Sequence, residues 1–303
     1  MKKLFALVLA LVLVAGLCVG AAVAEEKKLV YLITMDRMDQ HWVAVDKGAA
    51  DMAKALGLDY KWDAPDKKDN AKQIEALNNA VADGADLVLL AANDPTSISM
   101  TVKTIKEAGV KVIYVDSPAD EPAIATLSTD NFNAGKLAAQ TMLGEFAATG
   151  VTAGKIGIIS VNTATNSTML REKGFRDVIT ADGRFTLLET EYKDGDAAAS
   201  QEAATNFING NADLVGLFGA NEGSTVGVGN AIKAAGGAAI IGVGFDKSDA
   251  ILGLLKDGSL KAAMAQNPYT MGYLGVAQAY AAINGLSTGP AVIDTGVSVL
   301  RGE

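Results

Sequence analysis

Apolar runs that end in polar side chains set the rhythm of this chain, most plainly between residues 214 and 266. Residues 215–218 run into Asn221, 240–245 into Asp246, and 260–265 into Gln266. Between them, 225–235 and 247–256 carry apolar residues at helical spacing and stop at Gly236 and Gly258. Strand, helix, strand is the βαβ signature of a parallel sheet covered on both faces. In such sheets ligands gather beyond the carboxyl ends of the strands, where helix N-termini and loop residues converge. Asn221, Asp246 and Gln266 therefore form one candidate polar rim, although Asn and Asp also serve simply as helix caps.

The same alternation starts near the N-terminus. Strands are predicted over 29–34, 59–63, 87–91 and 111–115, and helices over 43–56, 69–82 and from the Asn93-Asp94-Pro95 turn to Gly109. The segment 120–132 breaks this rhythm, with a strand over 124–128 reached through a Pro-bearing turn and no intervening helix. A helix over 134–148 follows, and a second series then begins: strands over 155–160, 185–192 and 213–218, with helices over 167–179 and 196–208. A break near Thr129 divides the chain into two similar α/β domains. The last helix, over 271–283, and the segment 293–300 fit either one.

Residues 1–24 stand outside this pattern. Lys2 and Lys3, an apolar run to Val23, and Ala22-Val23-Ala24 before Glu25 have the three regions of a cleaved secretory leader. Export as a soluble protein is expected, with lipid anchoring at Cys18 disfavoured because Leu17 stands where a lipoprotein signal has a small residue. The mature chain then has no cysteine and must hold by its core. Losing Lys2 and Lys3 takes the formal charge from −9 to −11. An acidic exported chain without a basic patch does not point to nucleic acid.

Enzyme signatures are sparse. Gly242-Val-Gly244 continues into Phe-Asp-Lys rather than opening a helix, and Gly227-Val-Gly229 lies inside one, so neither is a dinucleotide fingerprint. A single histidine and no mature cysteine leave little for thiol or imidazole chemistry, and no metal site or cofactor is expected. Asp39 with Asp246 is the pair that a glycoside-processing enzyme would use. Carboxylates and amides instead suit a hydroxyl-rich neutral ligand, because each makes paired hydrogen bonds, and Trp42 offers an apolar face.

The residues 218–222, 242–246 and 265–266, with 127–131 and 170–175, resemble the periplasmic ribose- and galactose-binding protein family, which supplies the sugar-capturing subunit of ABC importers. The resemblance covers essentially the whole mature chain. It implies two doubly wound parallel-sheet domains, of periplasmic binding protein type I, joined by a multi-crossing hinge. The first would comprise 25–130 plus 267–295 and the second 131–266 plus 296–303. Carried over by position, the ligand residues fall at Asp39, His41, Trp42, Asp116, Asn221, Asp246 and Gln266, with Asn93 beside Ala92, where ribose binders have an asparagine. Ribose binders have arginines where this chain has Ser117 and Met169, the latter a ninth ligand-binding candidate by position, and an aromatic near Gly195. Those departures imply a ligand that differs from ribose in detail, with Arg171 and Asn166 candidates to do part of the missing work. The implied partners are a monosaccharide or related polyol and a membrane ABC permease, with a chemoreceptor or a non-sugar solute such as a nucleoside or autoinducer as alternatives. A monomer is expected.

Overall fold

The computed structural model describes residues 27–237 and 239–302. The leader read at 1–24 and Cys18 lie outside the described residues. The chain alternates strand and helix as β1 (Leu29–Ile33), α1 (Gln40–Leu56), β2 (Asp59–Asp63), α2 (Asn70–Ala82), β3 (Leu87–Leu90), α3 (Pro95–Glu107), β4 (Lys111–Val115) and β5 (Thr126–Ser128). The second series is α4 (Asn131–Thr149), β6 (Gly154–Ser160), α5 (Asn166–Asp182), β7 (Phe185–Leu187), β8 (Glu191–Tyr192), α6 (Ala197–Gly210), β9 (Leu214–Gly219), α7 (Glu222–Ala234), β10 (Ile241–Phe245), α8 (Asp249–Lys256) and β11 (Ala262–Gln266). It is followed by α9 (Pro268–Ile283), β12 (Val292–Asp294) and β13 (Val297–Leu300).

These strands form two sheets, ordered β12-β5-β4-β3-β1-β2 and β13-β11-β10-β9-β6-β7, with β8 also on β6. Pairing is parallel except between β13 and β11. Without the edge strands β12 and β13, both sheets have the doubly wound order 2-1-3-4-5, whose direction reverses between β1 and β3 and between β6 and β9. Central strands such as β3, apolar at every position and buried at every position, are what two-sided coverage requires. One core lies between the first sheet and α1 and α9, another between that sheet and α2 and α3. The second sheet is covered likewise by α4 and α5 on one face and by α6, α7 and α8 on the other. The result is two α/β domains of the type I periplasmic binding protein fold, with the chain crossing between them after β5, after β11 and between β12 and β13.

Where reading and structure differ, the cause is local. The single strand read over 185–192 is two short strands, both paired with β6. Helices α1, α4 and α7 begin about a turn before the apolar stripe does, at Gln40, Asn131 and Glu222, because side-chain caps at Asp39, Asp130 and Asn221 start them. The final segment joins both sheets, β12 to β5 and β13 to β11.

Glycines set how closely helices cross. A Cβ on Gly135 of α4 would lie 2.1 Å from the Arg171 carbonyl, and one on Gly174 of α5 would lie 2.1 Å from that of Phe132. Backbone contact of α4 with α5 depends on both, and it places Arg171 over the end of the second sheet.

Candidate ligand-binding site

The loop after β1 is fixed by its own carboxylates. Asp36 Oδ1 accepts the N–H groups of Met38 and Asp39, each at 2.9 Å, and Asp39 caps α1 by accepting from the His41 N–H at 3.0 Å. His41 and Trp42, in the first turn of α1, are buried and meet edge to face at 4.7 Å. Trp42 belongs to the core of the first domain and also lines the cleft, so packing and site are not alternatives for it.

Asp116 follows β4 and Asp246 follows β10, both in left-handed backbone conformation, at φ 61° and 77°. Such conformations are uncommon outside glycine and collect at functional sites. His41 stands between these carboxylates: Nε2 is 3.2 Å from Asp116 Oδ2 and Nδ1 is 3.6 Å from Asp246 Oδ1. Neither nitrogen is aligned for a straight hydrogen bond, so these are charge contacts. Burial alone would lower the His41 pKa, yet the two carboxylates outweigh it and raise it to about 10. Burial opposes ionisation of Asp116 and Asp246 too, but the imidazolium, with Arg171, holds both below the usual carboxylate range.

Arg171 donates from Nε to Asn131 Oδ1 at 2.8 Å and from Nη1 to the Ala220 carbonyl at 3.0 Å, lies 4.3 Å over the Phe245 ring, and is 3.8 Å from Asp116. Gln266 Nε2 donates to Asp246 Oδ1 at 2.6 Å. Asn221 Oδ1 caps α7 by accepting from the Ser224 N–H at 3.2 Å. Its amide nitrogen would lie 2.7 Å from a Cβ on Gly195, as Lys68 Nζ would at 3.2 Å, so three residues converge where ribose binders carry an aromatic. Lys68 spends one donor on Asp36, at 2.7 Å.

The domains touch across the cleft. Ser117 Oγ donates to Asp116 at 2.9 Å and lies 2.7 Å from Ser167 Oγ, and Thr165 Oγ1 donates to the Asn93 carbonyl at 2.8 Å. Of the nine residues expected from sequence, Asp39, His41, Trp42, Asp116, Asn221, Asp246 and Gln266 line one cavity. Asn93 and Met169 are not in that lining: the Asn93 side chain bonds Asn70 within its own domain, and Met169 is half-buried on α5. The lining adds Met35, Lys68, Val161, Thr165, Ser167, Thr168 and Arg171. Among these only Arg171 had a signal, its place before Gly174-Phe175. The space is about 30 Å³, a tenth of the low end of roughly 300–1,000 Å³ usual for small-molecule sites. The domains are drawn together.

A model of the periplasmic binding protein domain matches residues 30–287. This chain belongs to the periplasmic sugar-binding protein family, of the ribose and galactose type. The ribose import binding protein RbsB of Bacillus subtilis is 27% identical over 238 residues, spanning 77% of this chain and 74% of its own. An ABC transporter solute binding protein from Agrobacterium vitis, solved with bound D-fucose, is 32% identical at a TM-score of 0.84, over 90% of this chain and 95% of the other. A carbohydrate transporter solute binding protein from Agrobacterium radiobacter, in complex with D-arabinose, is 29% identical at 0.88, over 92% and 95%. Among the described residues no helix is long and apolar enough to cross a membrane.

Proposed function

We propose that this protein is an exported receptor that captures a monosaccharide or closely related polyol between its domains and delivers it to an ABC permease. It is a receptor and not an enzyme. The observation that carries this reading is the facing of Asp116 and Asp246, one from each domain, over a cleft walled by Trp42 and rimmed with amides. Buried carboxylates accept two hydroxyl hydrogens each, and charge-assisted bonds of that kind are the strong ones. The ligand contacts in this reading are Asp39, His41, Trp42, Asp116, Asn221, Asp246 and Gln266, with further donors from Lys68, while Asn93 and Met169 stand behind them. The relatives named for ribose and the neighbours holding D-fucose and D-arabinose support a monosaccharide as the class rather than any one sugar.

A cavity of 30 Å³ admits no sugar, so capture requires the domains to part and close again, a hinge motion that reports occupancy to the permease. The moving units are 25–130 plus 267–295 and 131–266 plus 296–303. The protein acts as a monomer, cleaved after Ala24 and free of lipid on Cys18, and its closed form is also the one a chemoreceptor would read.

The test is a thermal-shift and calorimetric screen of the mature protein over D-ribose, D-allose, D-arabinose, D-fucose, D-tagatose, nucleosides and polyols. A bound sugar stabilises the native state, by about 2.7 kcal/mol at a hundredfold excess over Kd. Stabilisation by a nucleoside and by no sugar, or conversion of a sugar by the pure protein, would overturn the reading.

A further inference from the structure

Three strands of chain pass between the domains, and a single hydroxyl joins them to the cleft. Thr129, just after β5, is 2% exposed, and its Oγ1 donates to Gln266 Oε1 at 3.0 Å. The same oxygen lies 3.5 Å from the Gly296 carbonyl, so it touches the second crossing and the third at once. Backbone bonds close the group: Thr295 N–H donates to the Ser128 carbonyl at 2.9 Å, and Asp294 Oδ1 accepts from Asp130 N–H at 3.0 Å and from Gly296 N–H at 2.8 Å. Asn267 Nδ2 donates to the Thr295 carbonyl at 2.7 Å.

The polarity of this chain of bonds follows from its far end. Asp246 is ionised and can only accept, so the Gln266 amide must turn its NH₂ toward it, across 2.6 Å. The amide carbonyl is thereby directed at Thr129, whose hydroxyl must be the donor. Each link polarises the next, and all point toward the carboxylate that faces the cleft. A rotation of one domain on the other that shifts residue 129 against residues 266 and 296 must strain these contacts, and a hydroxyl of solute docked on Asp246 shares with Gln266 the carboxylate at the end of the chain.

We infer that Thr129 is a positioning residue that couples the hinge to the ligand carboxylate, holding Gln266 and Asp246 in the orientation of the closed form. This rests on the proposed capture of a solute in the cleft. Spin labels on Lys54→Cys and Lys173→Cys, exposed positions in the two domains, report the inter-domain distance in the mature protein with and without sugar. Thr129→Val keeps the shape of the side chain and removes the donor. It is expected to broaden the ligand-free distance distribution toward open forms. It should also weaken, by about tenfold, the affinity for whichever of D-ribose, D-allose, D-arabinose, D-fucose or D-tagatose stabilises the unaltered protein, the effect of losing one hydrogen bond. Thr129→Ser should restore both. A Val variant indistinguishable from the unaltered protein, or a Ser variant as impaired as Val, would overturn the assignment. If the Val variant does not fold, Gln266→Leu cuts the same chain one link on, and an unchanged ligand-free distribution there would overturn it equally. If no sugar binds the unaltered protein the capture reading fails, while the ligand-free distances still decide the role of Thr129.

Discussion

Asp116 closes β4, the fourth strand of the first doubly wound sheet, and Asp246 closes β10, the fourth of the second. Their backbones are near copies: both are left-handed, and each N–H donates to the neighbouring strand, Asp116 to the Leu127 carbonyl at 2.8 Å and Asp246 to that of Met264 at 2.9 Å. Their side chains are held by different means. Asp116 has a hydroxyl from Ser117, the nearer approach of His41, and Arg171 at 3.8 Å. Asp246 has a neutral amide tied through Thr129 to the hinge, with His41 further off at 3.6 Å. One repeat unit has thus supplied two carboxylates, one held mainly by charge and one tied through Thr129 to the crossings between the domains.

The comparison breaks most visibly on removal of each carboxylate in turn. Asp116→Ala leaves His41 and Arg171 buried with one fewer anion, and cutting one member out of a buried ionic group costs about 3–5 kcal/mol of stability. Asp246→Ala deprives an amide, His41 at 3.6 Å and Arg171 at longer range, so its melting temperature should fall less, while sugar affinity drops by about 2–4 kcal/mol through lost charge-assisted bonds and unpaired ligand hydroxyls. Calorimetric melting and titration of both variants would show it. Equal loss of stability in the two would mean that charge holds both domains alike.

His41 sharpens the comparison because it answers to both carboxylates. Its pKa is raised from the ordinary 6.5 to about 10 in the fold, so its stabilising contribution is complete below pH 6.5 and is lost as pH rises toward 10. Asp116, held low, contributes fully above the ordinary carboxylate pKa and loses that as pH falls from there through its own depressed value. Melting temperature followed from pH 6 to 10 should therefore decline in the unaltered protein and decline much less in His41→Gln. A parallel decline in both would remove His41 from the ionic bridge.

The fold was legible because two-sided coverage writes each central strand as an apolar run, as in Leu87–Leu90, and because glycine or capping residues mark most helix ends. The polar rim was legible for a related reason: Asn221, Asp246 and Gln266 follow strands that need no such residues for their packing. Lys68 and Thr165 were not legible. They lie in loops far apart in sequence, each looks like an ordinary solvated residue, and only the approach of the two domains brings them to one cavity. The place of Thr129 was read as a break between domains, but its hydrogen bond to Gln266 spans 137 positions and has no local signature.

The smallest effect concerns a second pair facing across the cleft, Asp39 at the start of α1 and Glu222 at the start of α7. Burial raises the Asp39 pKa, with Asp246 adding to it. Burial followed by the charge of Asp39 lifts Glu222 to about 9. Glu222 Oε2 is buried without a hydrogen-bond partner among the described residues. A carboxyl whose pKa is raised in the fold stabilises it below its ordinary value and ceases to do so as pH rises through the raised one, here between about pH 4.5 and 9. Glu222→Gln mimics the protonated form at every pH, so it should melt like the unaltered protein at pH 4.5 and about 2 °C higher at pH 8. A lower melting temperature at pH 8 would mean that Glu222 is ionised and held by a cation such as Lys68. The carboxyl that stays protonated would then be Asp39, in the first domain rather than the second.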